Sequence, residues 1–147
     1  MTADPQSLLT FAATLPLLLV AHNLADHVTG QTHAQALTKA SPGATGWLAN
    51  LRHVAAYHVT LIALTALVWW LLPLHITALG AVLATVWSAG THALLDRRWP
   101  VRWILVHTRK RGFADLNSGG VSGMYLADQA LHHGALLVSA LMLAAIR

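Results

Sequence analysis

The sequence SLLTFAATLPLLLVAHNLAD (residues 7–26) decides the fold class of this chain. The part that precedes His22 contains no charged side chain. A helix needs about 20 predominantly apolar residues to cross the hydrocarbon core of a bilayer. Because lipid cannot satisfy exposed backbone polar groups, such a segment must be helical. We therefore predict a membrane-spanning helix from about Ser7 to Ala25.

Three further apolar segments follow the same rule. They predict helices over about Leu51–Leu72, Ile76–Leu95 and Val121–Ile146. The 147 residues are 56% hydrophobic and only 10% charged, whereas soluble domains usually carry about 25% charged residues. The sequence thus predicts an all-α, polytopic membrane protein. We expect a four-transmembrane-helix bundle that forms a single integral membrane domain over residues 1–147.

The polar connections predict the orientation of the chain. The loop Asp26–Asn50 contains Lys39. The loop Arg97–Gly120 contains six basic residues: Arg97, Arg98, Arg102, Arg109, Lys110 and Arg111. Because basic residues concentrate in cytoplasmic loops, we expect both loops in the cytoplasm and both termini outside. The segment Met1–Gln6 lacks the positive charge of a secretory signal peptide, so we expect the first helix to be retained.

A short stretch of the second loop mixes aromatic, aliphatic and basic residues. Over Trp99–Lys110, Trp99 and Trp103 alternate with Arg102 and Arg109. Amphipathic segments of this kind lie in the plane of the membrane interface. The pattern predicts a short interfacial helix, with an irregular basic loop as the alternative.

Imidazole and carboxylate side chains collect at one end of all four predicted helices. Since the chain reverses direction at each crossing, the ends of helices one and three and the starts of helices two and four face the same side. The residues at this level are His22, Asp26, His53, His92, Asp96, Asp128 and His132. We predict that they form one polar cluster near the cytoplasmic face.

The spacing of these residues favours metal binding. Three pairs are four residues apart and share a helix face: His22 with Asp26, His92 with Asp96, and Asp128 with His132. Three neighbouring carboxylates would repel one another without a cation or protons between them. Imidazole nitrogen and carboxylate oxygen bind zinc, iron or manganese. We predict a divalent metal site, zinc first and iron or manganese as alternatives, with one or two ions. Which residues bind metal directly stays open.

Other polar residues have supporting roles in this interpretation. We expect Gln31, Tyr57 and Gln129 to hold the ligands through hydrogen bonds. His58 is expected to face a neighbouring helix, and His133 to point away from His132. A metal-free hydrogen-bond network or a proton relay is the alternative reading of the whole cluster.

The order and spacing of these motifs resemble a bacterial and phage membrane family, the domain-of-unknown-function family numbered 3307. The resemblance covers residues 15–143 and rests on His22-x-x-x-Asp26 with Gln31, His53-x-x-x-Tyr57, His92-x-x-x-Asp96 and Asp128-Gln129-x-x-His132. His27 departs from the family, which usually has an apolar residue there. The resemblance implies a multi-pass protein of the bacterial inner membrane. Its motif set is similar to that of membrane-bound proteins predicted to be metal-dependent hydrolases.

The leading functional hypothesis is therefore a metal-dependent hydrolase. Metal would activate a bound water and polarise the substrate. A carboxylate that is not a ligand would serve as general base, with Asp26, Asp96 and Asp128 as candidates. Basic residues beside the cluster, namely Arg97, Arg98 and Arg102, would hold a phosphate or lipid headgroup. The expected partners are membrane lipids, with an anionic lipid or phosphoester as substrate.

Two other classes of function remain open. The same cluster could serve a transporter or an ion- or proton-conducting protein, although the outer helix halves are apolar. It could also lock the helices of a membrane scaffold subunit. We expect no nucleic-acid partner, because the basic residues cluster in one loop between apolar segments. The sequence leaves room for a homo-oligomer.

Overall fold

The computed structural model describes residues 4–147, so residues 1–3 of the predicted N-terminal segment lie outside the described residues. In chain order the helices are α1 (Pro5–Leu24), α2 (His33–Thr38), α3 (Gly43–Leu71), α4 (Ala78–Leu95), α5 (Trp99–His107), α6 (Arg111–Ala114) and α7 (Gly123–Ala145). A π-helical turn, Ala25–Thr29, follows α1. An antiparallel hairpin of β1 (Asn117–Ser118) and β2 (Val121–Ser122) precedes α7.

Three helical segments are long and apolar enough to cross a membrane: Pro5–Thr29, Gly43–Leu71 and Ala78–Leu95. The fourth predicted segment forms the 23-residue helix α7, which does not meet this criterion within the described residues. Its polar side chains, Asp128, Gln129, His132 and His133, account for the difference because they interrupt an otherwise apolar sequence.

Side-chain caps explain where several helices begin. Thr77 accepts a hydrogen bond from the Gly80 amide at 3.0 Å, which starts α4 two residues after the predicted Ile76. Ser122 accepts from the Tyr125 amide at 3.3 Å and starts α7. The largest difference is in α3, which begins eight residues before the predicted Leu51. Its additional turns support the end of α4, as described below.

The four long helices pack as one bundle. Helix α7 packs against α1 and α4, and α3 packs against α1 and α4. Small and aliphatic residues fill the centre, among them Leu18, Ala21, Ala84, Leu136 and Ala140. Small side chains allow membrane helices to approach closely.

One end of the bundle is closed by contacts between the chain termini. Arg147 donates hydrogen bonds to the Asp4 carboxylate at 2.5 Å and to the Ser7 hydroxyl at 2.8 Å. The hydrogen bond from Arg147 lowers the pKa of the exposed Asp4 carboxyl. Thr77, at the start of α4, donates to the Ile146 carbonyl at 2.9 Å. The start of α1, the α3–α4 connection and the end of α7 therefore lie together.

A short helix occupies most of the predicted interfacial segment. Helix α5 buries Val101 and Leu105 against α6 and α7. Trp99 and Trp103 are exposed, with 61% and 57% of their surface accessible. The helix is confirmed, whereas its position at a membrane interface stays a prediction.

Arg97 ties the α2–α3 connection to the end of α4. Its two terminal nitrogens donate to the Lys39 carbonyl at 2.5 Å and to the Ser41 carbonyl at 2.6 Å. The guanidinium carbon lies 4.5 Å from the centre of the Trp47 ring. Arg97 is buried, and its guanidinium bonds to other parts of the protein. The sequence-based prediction that Arg97 contacts a lipid headgroup is therefore wrong.

We predict that Arg97→Lys destabilises the protein. An ammonium cannot reproduce the planar fork that meets two carbonyls while stacking on Trp47. Loss of one charged hydrogen bond costs about 1.5–3 kcal/mol, which thermal unfolding in detergent will detect. The matched control is Arg98→Lys, an exposed neighbour. Equal midpoints for the two variants would contradict this role of Arg97.

Candidate metal centre

Four buried side chains converge at the end of the bundle opposite the chain termini. Asp26 lies in the π-helical turn, His53 in α3, His92 near the end of α4, and Asp96 directly after it. One ligand atom from each lies within 4.8 Å of all the others. These four residues, here called the first group, could hold a metal ion.

In the first group, the Nε2 atoms of the two histidines lie close to each other and to carboxylate oxygens. His53 Nε2 lies 3.0 Å from Asp26 Oδ1 and 3.3 Å from Asp96 Oδ2. His92 Nε2 lies 3.3 Å from Asp96 Oδ2 and 3.0 Å from His53 Nε2. The predicted convergence of separate helix ends at one level is confirmed for these residues.

Gly30 fixes which nitrogen of His53 faces the centre. The Gly30 carbonyl accepts a hydrogen bond from His53 Nδ1 at 2.8 Å. A neutral imidazole with its proton on Nδ1 carries a lone pair on Nε2. The lone pair of His53 is therefore aimed at Asp26 and His92. Such a backbone contact is how proteins orient histidines that bind metals.

The π-helical turn brings Asp26 and Gly30 to their positions. A π-helical segment is rare and occurs often at functional sites. Gln31 donates to the Asp26 backbone carbonyl at 3.1 Å. A Cβ atom on Gly30 would lie 2.5 Å from the Ala25 carbonyl oxygen and 3.0 Å from Tyr57 Cα. Only glycine therefore permits this close approach of the turn to α3.

A second group of possible ligands adjoins the first. Asp96, Asp128 and His132 also offer ligand atoms within 4.8 Å of one another. His132 Nδ1 donates to the Asp128 carbonyl at 2.9 Å, so its Nε2 carries the lone pair. Asp96 belongs to both groups.

His22 occupies a supporting position. Gln129 donates to Asp26 Oδ2 at 3.1 Å, and because a carboxylate only accepts, this fixes the orientation of the amide. The Gln129 oxygen then accepts from His22 Nε2 at 3.0 Å, and the Tyr57 hydroxyl donates to His22 Nδ1 at 3.0 Å. Both nitrogens of His22 are thus used. Of the seven predicted ligands, the structure brings six into the two groups and places His22 beside them.

Lys39 is part of the centre, which the sequence reasoning missed. Its ammonium lies 2.9 Å from Asp96 Oδ1 and 3.8 Å from Asp26 Oδ1, and the residue is buried. One sequence feature could have pointed to Lys39, namely its isolation from other basic residues. It is the first Lys or Arg of the chain, and the next is Arg52. Three carboxylates and one ammonium leave two negative charges in the centre.

Whether these residues fit a metal ion can be judged from the buried polar atoms that have no hydrogen-bond partner. Within residues 4–147, four such atoms belong to the two groups: Asp26 Oδ1, Asp96 Oδ2, Asp128 Oδ1 and His132 Nε2. Leaving a buried polar atom unpaired costs about 1–3 kcal/mol. All four atoms are suitable ligands for zinc, iron or manganese. The chemistry of the centre therefore fits a divalent ion.

The remaining sequence candidates lie outside the centre. Arg98 and Arg102 are exposed, and Arg102 pairs with Asp115 at 2.8 Å. His58 bonds to Ser88 of α4 at 3.1 Å, facing the neighbouring helix as expected. His133 packs against His22, with 5.2 Å between the ring centres.

Comparison with protein-family models, curated proteins and solved structures found no match for this chain. The resemblance to the membrane family numbered 3307 therefore stays a prediction. The functional argument rests on the geometry of the centre.

We predict that Gly30→Ala destabilises the centre. The added methyl group would push the turn from α3 and move the Gly30 carbonyl away from His53. Overpacking of this kind costs about 1–3 kcal/mol, measurable as a lower midpoint of thermal unfolding in detergent.

The matched control for this substitution is Gly90→Ala in α4, where a Cβ atom meets nothing within 4 Å. Alanine in a helix is favoured over glycine by roughly 0.5–1 kcal/mol, so this variant should be at least as stable as the wild type. A Gly30→Ala variant as stable as the wild type would contradict the packing argument.

Proposed function

We propose that this protein is a membrane-embedded, metal-dependent hydrolase that acts on a phosphoester or lipid headgroup at the cytoplasmic interface. One observation carries the proposal: in the first group, buried Asp26 and Asp96 oxygens without hydrogen bonds lie within 4.8 Å of ring nitrogens of His53 and His92. Such an arrangement needs positive charge at its centre. Zinc suits these ligands best, and iron or manganese would also fit.

The chemistry follows from what the residues can do. A bound divalent ion would supply an activated water at neutral pH and would polarise a phosphoryl oxygen. In hydrolysis the water oxygen would bond to phosphorus, the bond between phosphorus and the leaving oxygen would break, and the proton of the water would pass by way of a carboxylate oxygen to that leaving oxygen, which departs as the alcohol. Asp26, Asp96 and Asp128 provide such oxygens. The Lys39 ammonium adds a fixed positive charge beside Asp96 that can stabilise an anionic phosphoryl group.

A fourth membrane crossing by α7 is part of the proposal. The contact between Asp4 and Arg147 supports it, since chain ends that lie together require an even number of crossings. The polar residues of α7 also support it, because His132 is buried and the Asp128 side chain is only 16% exposed. Large apolar side chains cover the outside of the bundle, including Val20, Trp70, Val86 and Leu141.

The basic loops support a cytoplasmic position for the centre. Helix α5 exposes Trp99 and Trp103 next to Arg98 and Arg102, a combination suited to an interface with anionic lipid. We propose that α5 is the interfacial helix and that Arg98 and Arg102 contact the headgroup. We further propose that the protein lies in a bacterial inner membrane, as the resemblance to the family numbered 3307 implies, and that both termini are outside, as the basic loops indicate.

Transport is the weaker alternative. Beyond the centre, the cavity between α3 and α4 has a volume of about 420 Å³ and is lined mainly by apolar residues such as Leu61, Ala81 and Leu143. An apolar wall gives an ion no polar path across the bilayer. A pure scaffold is also less favoured, because it would gain nothing from buried polar atoms without partners.

We predict that protein purified in detergent contains stoichiometric divalent metal. His92→Ala should lose both the metal and the hydrolysis of a generic phosphodiester such as bis(p-nitrophenyl) phosphate. Gln129→Ala, which removes the hydrogen bonds to Asp26 and His22 but none of the grouped ligands, should weaken metal affinity by roughly 10–100-fold. Elemental analysis and a colorimetric assay measure the two quantities.

The control for these variants is His107→Ala, because His107 is exposed and bonds only to its own helix. It should keep metal and activity. Folded, metal-free wild-type protein would refute the proposal. Metal-loaded protein that hydrolyses no phosphoester but carries cations into liposomes would refute the hydrolase and favour transport.

A second prediction concerns topology and exploits the absence of cysteine from the chain. In intact cells a membrane-impermeant maleimide should label Gln6→Cys, which is exposed at the end with the termini. Ser118→Cys, exposed in the β1–β2 hairpin, should react only after the cells are permeabilised. Labelling of both variants in intact cells, or of Ser118→Cys alone, would overturn the orientation.

A further inference from the structure

The two groups of ligand atoms share one residue. Asp96 belongs to the first group with Asp26, His53 and His92, and to the second with Asp128 and His132. A carboxylate common to two clusters can bind two metal ions at once. Its Oδ2 has no hydrogen bond and faces His53 and His92, while Oδ1 holds Lys39.

The second group has evidence of its own for a ligand. His132 is only 2% exposed, and its Nε2 has no hydrogen-bond partner. The hydrogen bond from Nδ1 to the Asp128 carbonyl keeps the lone pair of Nε2 available. Asp128 Oδ1 is buried and unpartnered as well. These atoms lie within 4.8 Å of one another and of an Asp96 oxygen.

The two positions differ in the number of protein ligands. The first group offers four, which complete the shell of a tetrahedral ion. The second group offers three, the number found in catalytic zinc sites that keep one position open for water or substrate. The Asp128 side chain also retains 16% exposure, so the second position is nearer to solvent.

We propose that this cluster is a two-ion centre, in which Asp96, Asp128 and His132 hold the second ion and Asp96 is shared between both. This inference rests on the proposed function and assigns the open, water-binding position to the second ion. Two-ion sites that cleave phosphoesters hold their ions about 3.5–4 Å apart and clamp the attacking and leaving oxygens.

Charge supports a phosphoester as the substrate of such a centre. Three carboxylates and the Lys39 ammonium carry two negative charges in total, so two divalent ions leave two positive charges. A hydroxide and an anionic phosphoester can neutralise that excess. With a neutral ester, one of the two positive charges would stay uncompensated.

The test uses the full-length protein in detergent, stripped with a chelator and titrated with Mn²⁺. We expect two Mn²⁺ per chain and an electron paramagnetic resonance spectrum of a spin-coupled pair. Asp128→Asn and His132→Gln should each bind one Mn²⁺ with the spectrum of an isolated ion, and hydrolysis should fall at least tenfold. His133→Gln, an adjacent residue outside both groups, is the matched control and should bind two.

The outcomes separate this inference from the proposed function. One Mn²⁺ in the wild type, lost in His92→Ala and unchanged in Asp128→Asn, would overturn the second position and leave a one-ion hydrolase. Two uncoupled ions would overturn the sharing of Asp96. Absence of bound Mn²⁺ from a folded wild-type protein would refute both. Circular dichroism checks the fold, and Asp128→Ala provides a second variant if Asp128→Asn does not fold.

Discussion

The structure depends on a close cluster of imidazole nitrogens and carboxylate oxygens buried at one end of the bundle. His53 Nε2 faces a second imidazole nitrogen and two carboxylate oxygens within 3.3 Å. In a buried site such contacts are unfavourable unless positive charge lies among them. Lys39 supplies one charge at the edge. The first group could hold a metal ion that supplies further positive charge.

Several local features exist because of this requirement. The π-helical turn after α1 and the glycine that ends it bring a carboxylate and a backbone carbonyl to the same imidazole. The chain from Tyr57 through His22 and Gln129 to Asp26 fixes the orientation of every donor in it. These features position side chains of the first group, and two of their residues, Ala25 and Tyr57, also belong to the apolar core. The bundle core farther from the centre provides the rigidity that holds them.

The sequence predicts the helices and most of the centre, but not how the side chains share their hydrogen bonds. Four-residue spacing and reversal of direction place Asp26, His92 and Asp96 at one level. That pattern cannot show that both nitrogens of His22 are already engaged, because the partners come from two other helices. Lys39 was missed for a similar reason. Its position depends on the fold of a loop, which has no periodicity to read.

The attachment of Lys39 has a mechanical consequence for the whole molecule. Trp47 is 43% exposed on α3, and the Arg97 guanidinium stacks on its ring while holding the Lys39 backbone. The Arg97 guanidinium therefore joins an exposed indole on α3 to the backbone of the residue whose ammonium lies beside Asp96. One buried side chain thus links the outer surface of α3 to the charge balance at the end of α4.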